Sequence, residues 1–198
     1  MPNNTETEVK LYVPHLEWVQ VQLERVEAAL TAPRVYERNV RYENAEKSLT
    51  SSGVVVRLRQ DTRARLTYKE GSSAQGGITS RTEIEVEVSD FDSMQTILGK
   101  LGYHPHLVYE KYRTTYELDG AEIVLDEMPY GNFVEIEGEA AAIESLIKKL
   151  SLQDTPRLAG SYTTLFDRVK TRLGLSFDHL TFENFKGIDV PESAFQVG

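Results

Sequence analysis

Charged and apolar residues alternate along this chain in stretch after stretch, and neighbouring charges in a stretch often share one sign. The pattern begins at Glu6-Thr7-Glu8-Val9-Lys10 and returns at Arg57-Leu58-Arg59, Glu83-Ile84-Glu85-Val86-Glu87, Lys111-Tyr112-Arg113 and Glu135-Ile136-Glu137. Side chains of a strand point alternately to its two faces, so each stretch has one ionic and one apolar face. Like charges side by side on a face repel. Their clustering therefore calls for something of opposite sign between them, and that requirement restricts both the fold and the function.

Strands are predicted near 4–13, 35–43, 53–60, 63–70, 79–89, 108–118, 121–128 and 132–138, with tight turns at Asp61-Thr62 and Asp119-Gly120. Residues 71–77, rich in Gly and Ser, read as a mobile loop. Helical spacing of Leu16, Val19, Leu23, Val26 and Leu30 predicts a helix over 15–31, closed by Pro33. Further helices are predicted over 91–101, capped by Asp90 or Asp92, over 140–150, and through Tyr162, Leu165, Phe166, Val169 and Leu173 before Gly174. The last segment, 175–198, carries Phe177, Phe182, Phe185 and Phe195 and is expected to pack back as a lid or plug.

The apolar strand faces need a covering, and the amphipathic helices supply it. With helices outside a closed sheet, the charged faces line the interior. Parity alone then puts about ten carboxylates and about eight cations inside. Buried charges persist only when paired or bound to ions and ligands. The fold expected is α+β: a closed eight-stranded antiparallel β-barrel, a tunnel with a charged interior and helices packed outside. Residues 1–155 form the barrel domain, and 156–198 a helical extension packing on or capping it. A sandwich with its charges in water explains any single strand but not the segregation of Arg-x-Arg from Glu-x-Glu.

Composition narrows the function. A net charge of −9 argues against nucleic acid as a partner. No apolar run approaches a membrane span, and the start lacks the regions of a signal peptide. The absence of cysteine excludes thiolate metal sites and fits a cytoplasmic protein. His104 and His106 flank Pro105 in a predicted loop and make a poor zinc site.

The order of these stretches resembles the CYTH family, the triphosphate tunnel metalloenzymes. The opening Glu6-x-Glu8-x-Lys10 is followed by Val56-Arg57-Leu58-Arg59, Leu66-Thr67-Tyr68-Lys69, Arg81-Thr82-Glu83-Ile84-Glu85, Glu110-Lys111-Tyr112-Arg113, Leu125-Asp126-Glu127 and the run from Gly131 to Gly138. The resemblance implies a magnesium- or manganese-dependent enzyme acting on a triphosphate-bearing small molecule: inorganic triphosphate, ATP or another nucleoside triphosphate. By motif match, Glu6, Glu8, Glu83, Glu85, Glu135 and Glu137 are candidate metal ligands, with Asp126 added by position. Lys10, Arg57, Arg59, Lys69, Lys111 and Arg113 are candidate phosphate ligands, and Lys69 and Glu85 the catalytic candidates.

The chain departs from the family pattern at Arg41-Tyr42-Glu43, where many members carry Tyr-Tyr-Asp or Tyr-Phe-Asp. Arg41 cannot accept a proton as a tyrosine hydroxyl would, which argues against a dedicated thiamine triphosphatase. It adds a seventh phosphate-binding candidate. The implied reaction is triphosphate hydrolysis. The alternative is that of class IV adenylate cyclases, favoured by Ser161-Tyr162 followed by Leu165, and a non-catalytic polyphosphate or nucleotide sensor is the third possibility. A homodimer is compatible with the resemblance.

Overall fold

The computed structural model describes residues 5–195. Eight strands, β1 (Thr5–Val13), β2 (Ala29–Glu43), β3 (Val55–Gln60), β4 (Ala64–Gln75), β5 (Ile78–Val88), β6 (His104–Leu118), β7 (Ala121–Met128) and β8 (Gly131–Glu137), close in the order β1-β5-β4-β3-β2-β6-β7-β8. Every neighbouring pair is antiparallel, with β8 returning to β1. Two stretches of strand edge left by unequal strand lengths are covered by chain. Residues 156–158 bond to Lys10 and Tyr12 of β1, and Leu180 bonds to Val108 and Glu110 of β6. Covered edges offer no template for another strand.

Helices α1 (Glu17–Arg25), α3 (Phe91–Lys100) and α4 (Ala140–Lys149) cover the outward faces, while α2 (Ser48–Ser51) is a single turn between β2 and β3. Val19 and Leu23 of α1 and Ile143, Leu146 and Ile147 of α4 bury the outward Val9, Leu11, Ile123, Leu125, Val134 and Ile136. Phe91 and Leu98 of α3 do the same for Val40, Tyr42 and Leu58. The apolar core thus lies between barrel wall and helices.

Helix α5 (Tyr162–Leu173) differs, because it packs on inward-facing side chains at one end of the barrel. Tyr12, Tyr109, Met128 and Phe133 share parity with the ionic residues of their strands yet join Tyr162, Leu165, Phe166, Phe185 and Phe195 in one aromatic cluster. Ring centroids lie 5.2 Å apart for Phe133–Tyr162 and 5.3 Å apart for Tyr130–Phe195. Phe185 and Phe195 of the tail thus pack against that end of the barrel with Phe177 beside them, whereas Phe182 lies against the outward-facing Tyr112.

Two expectations are corrected. The helix predicted over 15–31 ends at Arg25. Glu27 turns left-handed at φ 57°, with Glu27 N–H donating to Glu24 O and Ala28 N–H to Leu23 O. That paired closure ends the helix although Val26 and Leu30 keep its spacing. Leu30 instead pairs with Tyr116 in β2, where long-range pairing to β6 overrides local periodicity. Likewise, residues 71–77 are mostly strand. Gly76 and Gly77, at φ 60° and 81°, suit the two-residue turn of the β4–β5 hairpin. Arg157 pins its tip by donating to Gly76 O at 2.9 Å, itself held by Glu144.

Leu146 is fully buried between α4 and the barrel wall. Leu146→Ala is expected to cost about 2–5 kcal/mol, read as a lower denaturant midpoint at unchanged slope. A loss below about 1 kcal/mol would mean that α4 does not seal this wall.

Candidate functional site

The inward faces enclose one cavity of about 860 Å³, within the usual size range of small-molecule sites. Glu6, Glu8 and Lys10 enter it from β1, Arg41 from β2, Arg57 and Arg59 from β3, and Lys69 from β4. Glu83 and Glu85 come from β5, Lys111 and Arg113 from β6, and Glu135 and Glu137 from β8. These predicted residues come together because strand parity repeats around a closed ring. Glu87, on the same face of β5, lies beyond them at the rim and pairs with the exposed Arg63.

The charges neutralise one another in three groups. Lys69 donates to the two Glu6 oxygens at 3.1 and 3.0 Å and lies 2.6 Å from Glu83. Arg81 donates to Glu6 at 2.6 Å and to Glu8 at 3.4 Å. In the second group Glu85 accepts from Arg59 at 3.1 Å, from Thr67 at 2.9 Å and from Arg57 at 3.5 Å. Glu37 lies 3.5 Å from Arg59, and Asp61 pairs with Arg65. In the third, Glu135 pairs with Lys10 and with Arg113 at 2.6 Å.

Asp126 stands apart from the other predicted residues. It is fully buried behind the cavity wall and accepts from Lys111 at 3.0 Å, from Arg113 at 2.7 and 2.6 Å, and from the Tyr162 hydroxyl at 2.7 Å. Its acceptor capacity is taken up by protein. Glu43 is also committed elsewhere: burial opposes its charge, but the Thr50 hydroxyl and the backbone N–H groups of Thr50, Asn44 and Leu49 hold it down at about 2. It anchors the turn around α2.

Burial disfavours every carboxylate here, and neighbouring cations decide the outcome. Against burial, Lys111, Arg113, Arg59 and Arg57 hold Glu37 down at about 2. Against burial, the bond shared with Glu83 and the charges of Lys69 and Arg81 keep Glu6 well below the carboxylate range. Arg59, Thr67, Arg57 and Arg65 likewise overcome burial to lower Glu85. Glu137 is the opposite case. It makes no ion pair among the described residues, and partial burial together with Glu6, Glu122, Glu8 and Glu83 pushes it up to about 8.

That crowd fits a hard divalent cation in kind, since Glu6, Glu8, Glu83 and Glu137 supply only carboxylate oxygens and Glu137 has no cationic partner among the described residues. Among the described residues, no three of them converge as an ion-holding group, being drawn instead towards Lys69, Arg81 and Lys10.

Several lining residues lie outside the predicted set. Arg65 and Arg81 were recoverable from parity, each sharing a face with a motif residue two positions away, and Glu37 from the face it shares with Arg41 four positions on. Tyr109 shares the face of Lys111. Ser161, Tyr162 and Thr163, at the start of α5, reach the cavity through tertiary packing, and Thr163 accepts from Arg41 at 2.5 Å. The Nε atoms of Arg57, Arg59 and Arg65 are buried without a hydrogen-bond partner among the described residues.

Two outcomes follow from these pairings. Asp126→Ala leaves Lys111 and Arg113 buried without their main partner and is expected to cost about 3–5 kcal/mol in denaturant unfolding. In metal-free buffer, Glu137 binds more protons folded than unfolded, so stability falls as pH rises from about 4.5 to about 8. Glu137→Gln should flatten that part of a stability–pH curve; an unchanged slope would show that Glu137 is not the strained group.

The CYTH domain family matches residues 4–161. Among solved structures, a candidate adenylate cyclase of Vibrio parahaemolyticus superposes with TM-score 0.71 at 19% identity, covering 83% of this chain and 98% of that one. A Pyrococcus horikoshii protein superposes with TM-score 0.64 at 25% identity, covering 81% of this chain and 97% of that one. A Hippeastrum protein, described as a candidate adenylyl cyclase with a dominant triphosphatase activity, gives TM-score 0.64 at 17% identity, covering 82% and 95%. No curated protein is similar enough in sequence to count as a match.

Proposed function

The chain belongs to the CYTH family, and we propose that it is a divalent-metal-dependent phosphohydrolase that binds a triphosphate-bearing small molecule in the barrel cavity. The observation that carries this reading is the row of Arg57, Arg59 and Arg65 along one cavity wall, whose buried Nε donors make no hydrogen bond among the described residues, the carboxylates of Asp61 and Glu85 standing 3.9 Å from Arg59 Nε and 3.8 Å from Arg65 Nε. A buried donor without an acceptor costs about 1–3 kcal/mol. A chain of phosphoryl groups offers the acceptors and negative charge that would satisfy them, and guanidinium forks grip such oxygens in pairs.

Lys10, Arg41, Arg57, Arg59, Lys69, Lys111 and Arg113 then hold the triphosphate, with Arg65 and Arg81 added from the geometry. Glu6, Glu8, Glu83, Glu135 and Glu137 are the residues that would hold magnesium or manganese; when bound, the ion neutralises phosphate oxygens and lowers the barrier to attack. Phosphoryl transfer asks the protein chiefly for position and charge. We read Glu85, held ionised by three arginines, as the group that orients them, and Asp126 as the anchor of Lys111 and Arg113. The ion pairs within the cavity keep the free site neutralised and yield their cations to the substrate when it enters.

A second reading is the cyclase reaction, in which the ribose hydroxyl of ATP attacks the α-phosphate. It is favoured by the uncharged Thr31, Ala32, Pro33 and Val35 at one end of the ionic cavity, which could accept a base.

Incubation with inorganic triphosphate, ATP or thiamine triphosphate and magnesium or manganese, followed by chromatography, separates the readings. Orthophosphate is the expected product; cyclic AMP with pyrophosphate would select the cyclase. Protection from melting without any product would leave a sensor. Combined Glu6→Gln and Glu8→Gln is expected to lower kcat by about 100-fold or more with the fold retained. Full turnover by that variant would remove the metal assignment.

A further inference from the structure

Resting on the triphosphate-cleaving reading, the geometry points to a proton donor. Cleavage leaves a new charge on the oxygen of the departing oligophosphate, and a side chain positioned to protonate it speeds the step. The cavity's cations are poor candidates. Lys10, Lys69 and Lys111 are the point charges that grip the phosphate oxygens, a role that needs their protons kept, and arginine does not release its proton. Serine and threonine hydroxyls are too weakly acidic.

Two tyrosines line the cavity, and their hydroxyls differ. Tyr162 already donates its proton to Asp126 at 2.7 Å. Tyr109 accepts from Arg57 at 3.2 Å and, among the described residues, donates to nothing. Asn39, its register neighbour on β2, has both amide atoms buried without a partner, so it does not take that proton. The Tyr109 ring is fixed in the aromatic cluster around α5, with only 7% of the residue exposed. Its one free polar function is an O–H on the face that lines the cavity.

We propose that Tyr109 is the general acid of this site, giving its phenolic proton to the leaving oxygen of the oligophosphate. Water forms the new P–O bond while the bridging P–O bond breaks, its electron pair passing to the leaving oxygen, which takes the Tyr109 proton. The attacking water releases one proton to solvent, and the phenolate recovers one from solvent. Arg57 donates to that phenolate throughout. Burial raises the pKa of Tyr109, but Arg57, Lys111 and Lys69 outweigh it and bring the group below its ordinary value, which strengthens it as an acid. The role comes from β6, one strand away from Arg41, where an aromatic hydroxyl is missing from this chain.

The test uses the full chain with inorganic triphosphate and magnesium. Tyr109→Phe is expected to lower kcat by about 100-fold or more, leave KM within about threefold, and abolish the alkaline limb of the kcat–pH profile. Site-specific 3,5-difluorotyrosine at 109 should move that limb to lower pH while keeping the hydroxyl, and it carries the test if the phenylalanine variant fails to fold. An active wild type with Tyr109→Phe at full kcat, or with a limb unmoved by fluorination, would overturn the acid alone. A wild type inert on inorganic triphosphate and on ATP would remove the triphosphate-cleaving reading and the acid with it.

Discussion

The structure rests on neutralisation of charge inside a closed sheet. Isolated ions inside a protein are costly, and their removal from water is offset only by close partners of opposite sign. Here the partners come from different strands. Lys10 of β1 meets Glu135 of β8, Lys69 of β4 meets Glu6 of β1 and Glu83 of β5, and Arg113 of β6 meets Asp126 of β7. Lys69–Glu83 and Arg113–Asp126 form across single hairpins, but Lys10–Glu135 and Lys69–Glu6 are available only once β1 has closed onto β8 and β5. The ionic interior and the barrel topology therefore depend on each other.

This arrangement separates two tasks that most domains combine. Stability comes from apolar layers outside the wall, where α1, α3 and α4 bury the outward residues. The interior is left for chemistry, with its cations held by carboxylates at hydrogen-bonding distance rather than by solvent. The third apolar cluster joins the tasks. Helix α5 and the tail insert aromatic rings into the barrel, and the same insertion brings Tyr162 to Asp126 and Thr163 to Arg41. The cavity wall at that end is thus made by a segment remote in sequence from the strands.

The strands were legible because alternation at period two is strong where one face is ionic. Ends of elements were less so. The α1 boundary hung on a left-handed Glu27, a conformation that no apolar pattern encodes, and the β4–β5 hairpin hung on two glycines whose composition reads equally well as a loop. Among site residues, parity reached Glu6, Lys10, Arg57, Lys111 and Glu137, and extended far enough it also reaches Glu37, Arg65 and Arg81. It could not tell that Asp126 lies behind the wall rather than in the cavity. Depth along the barrel axis is set by strand stagger and by the neighbours Lys111, Arg113 and Tyr162.

The amino-acid order by itself determined which faces are ionic, that they must be enclosed, and which strands carry the acidic and basic pairs, because side-chain direction in a strand is a local property. Only the folded ring decided which acid meets which base, and which groups are left over among the described residues: Glu137 without a cation, three arginine Nε donors without a hydrogen bond, and the Tyr109 proton without a recipient. Pairing is a property of distance between strands, and that distance is fixed by closure, stagger and the packing of α5, none of which is written in any one segment.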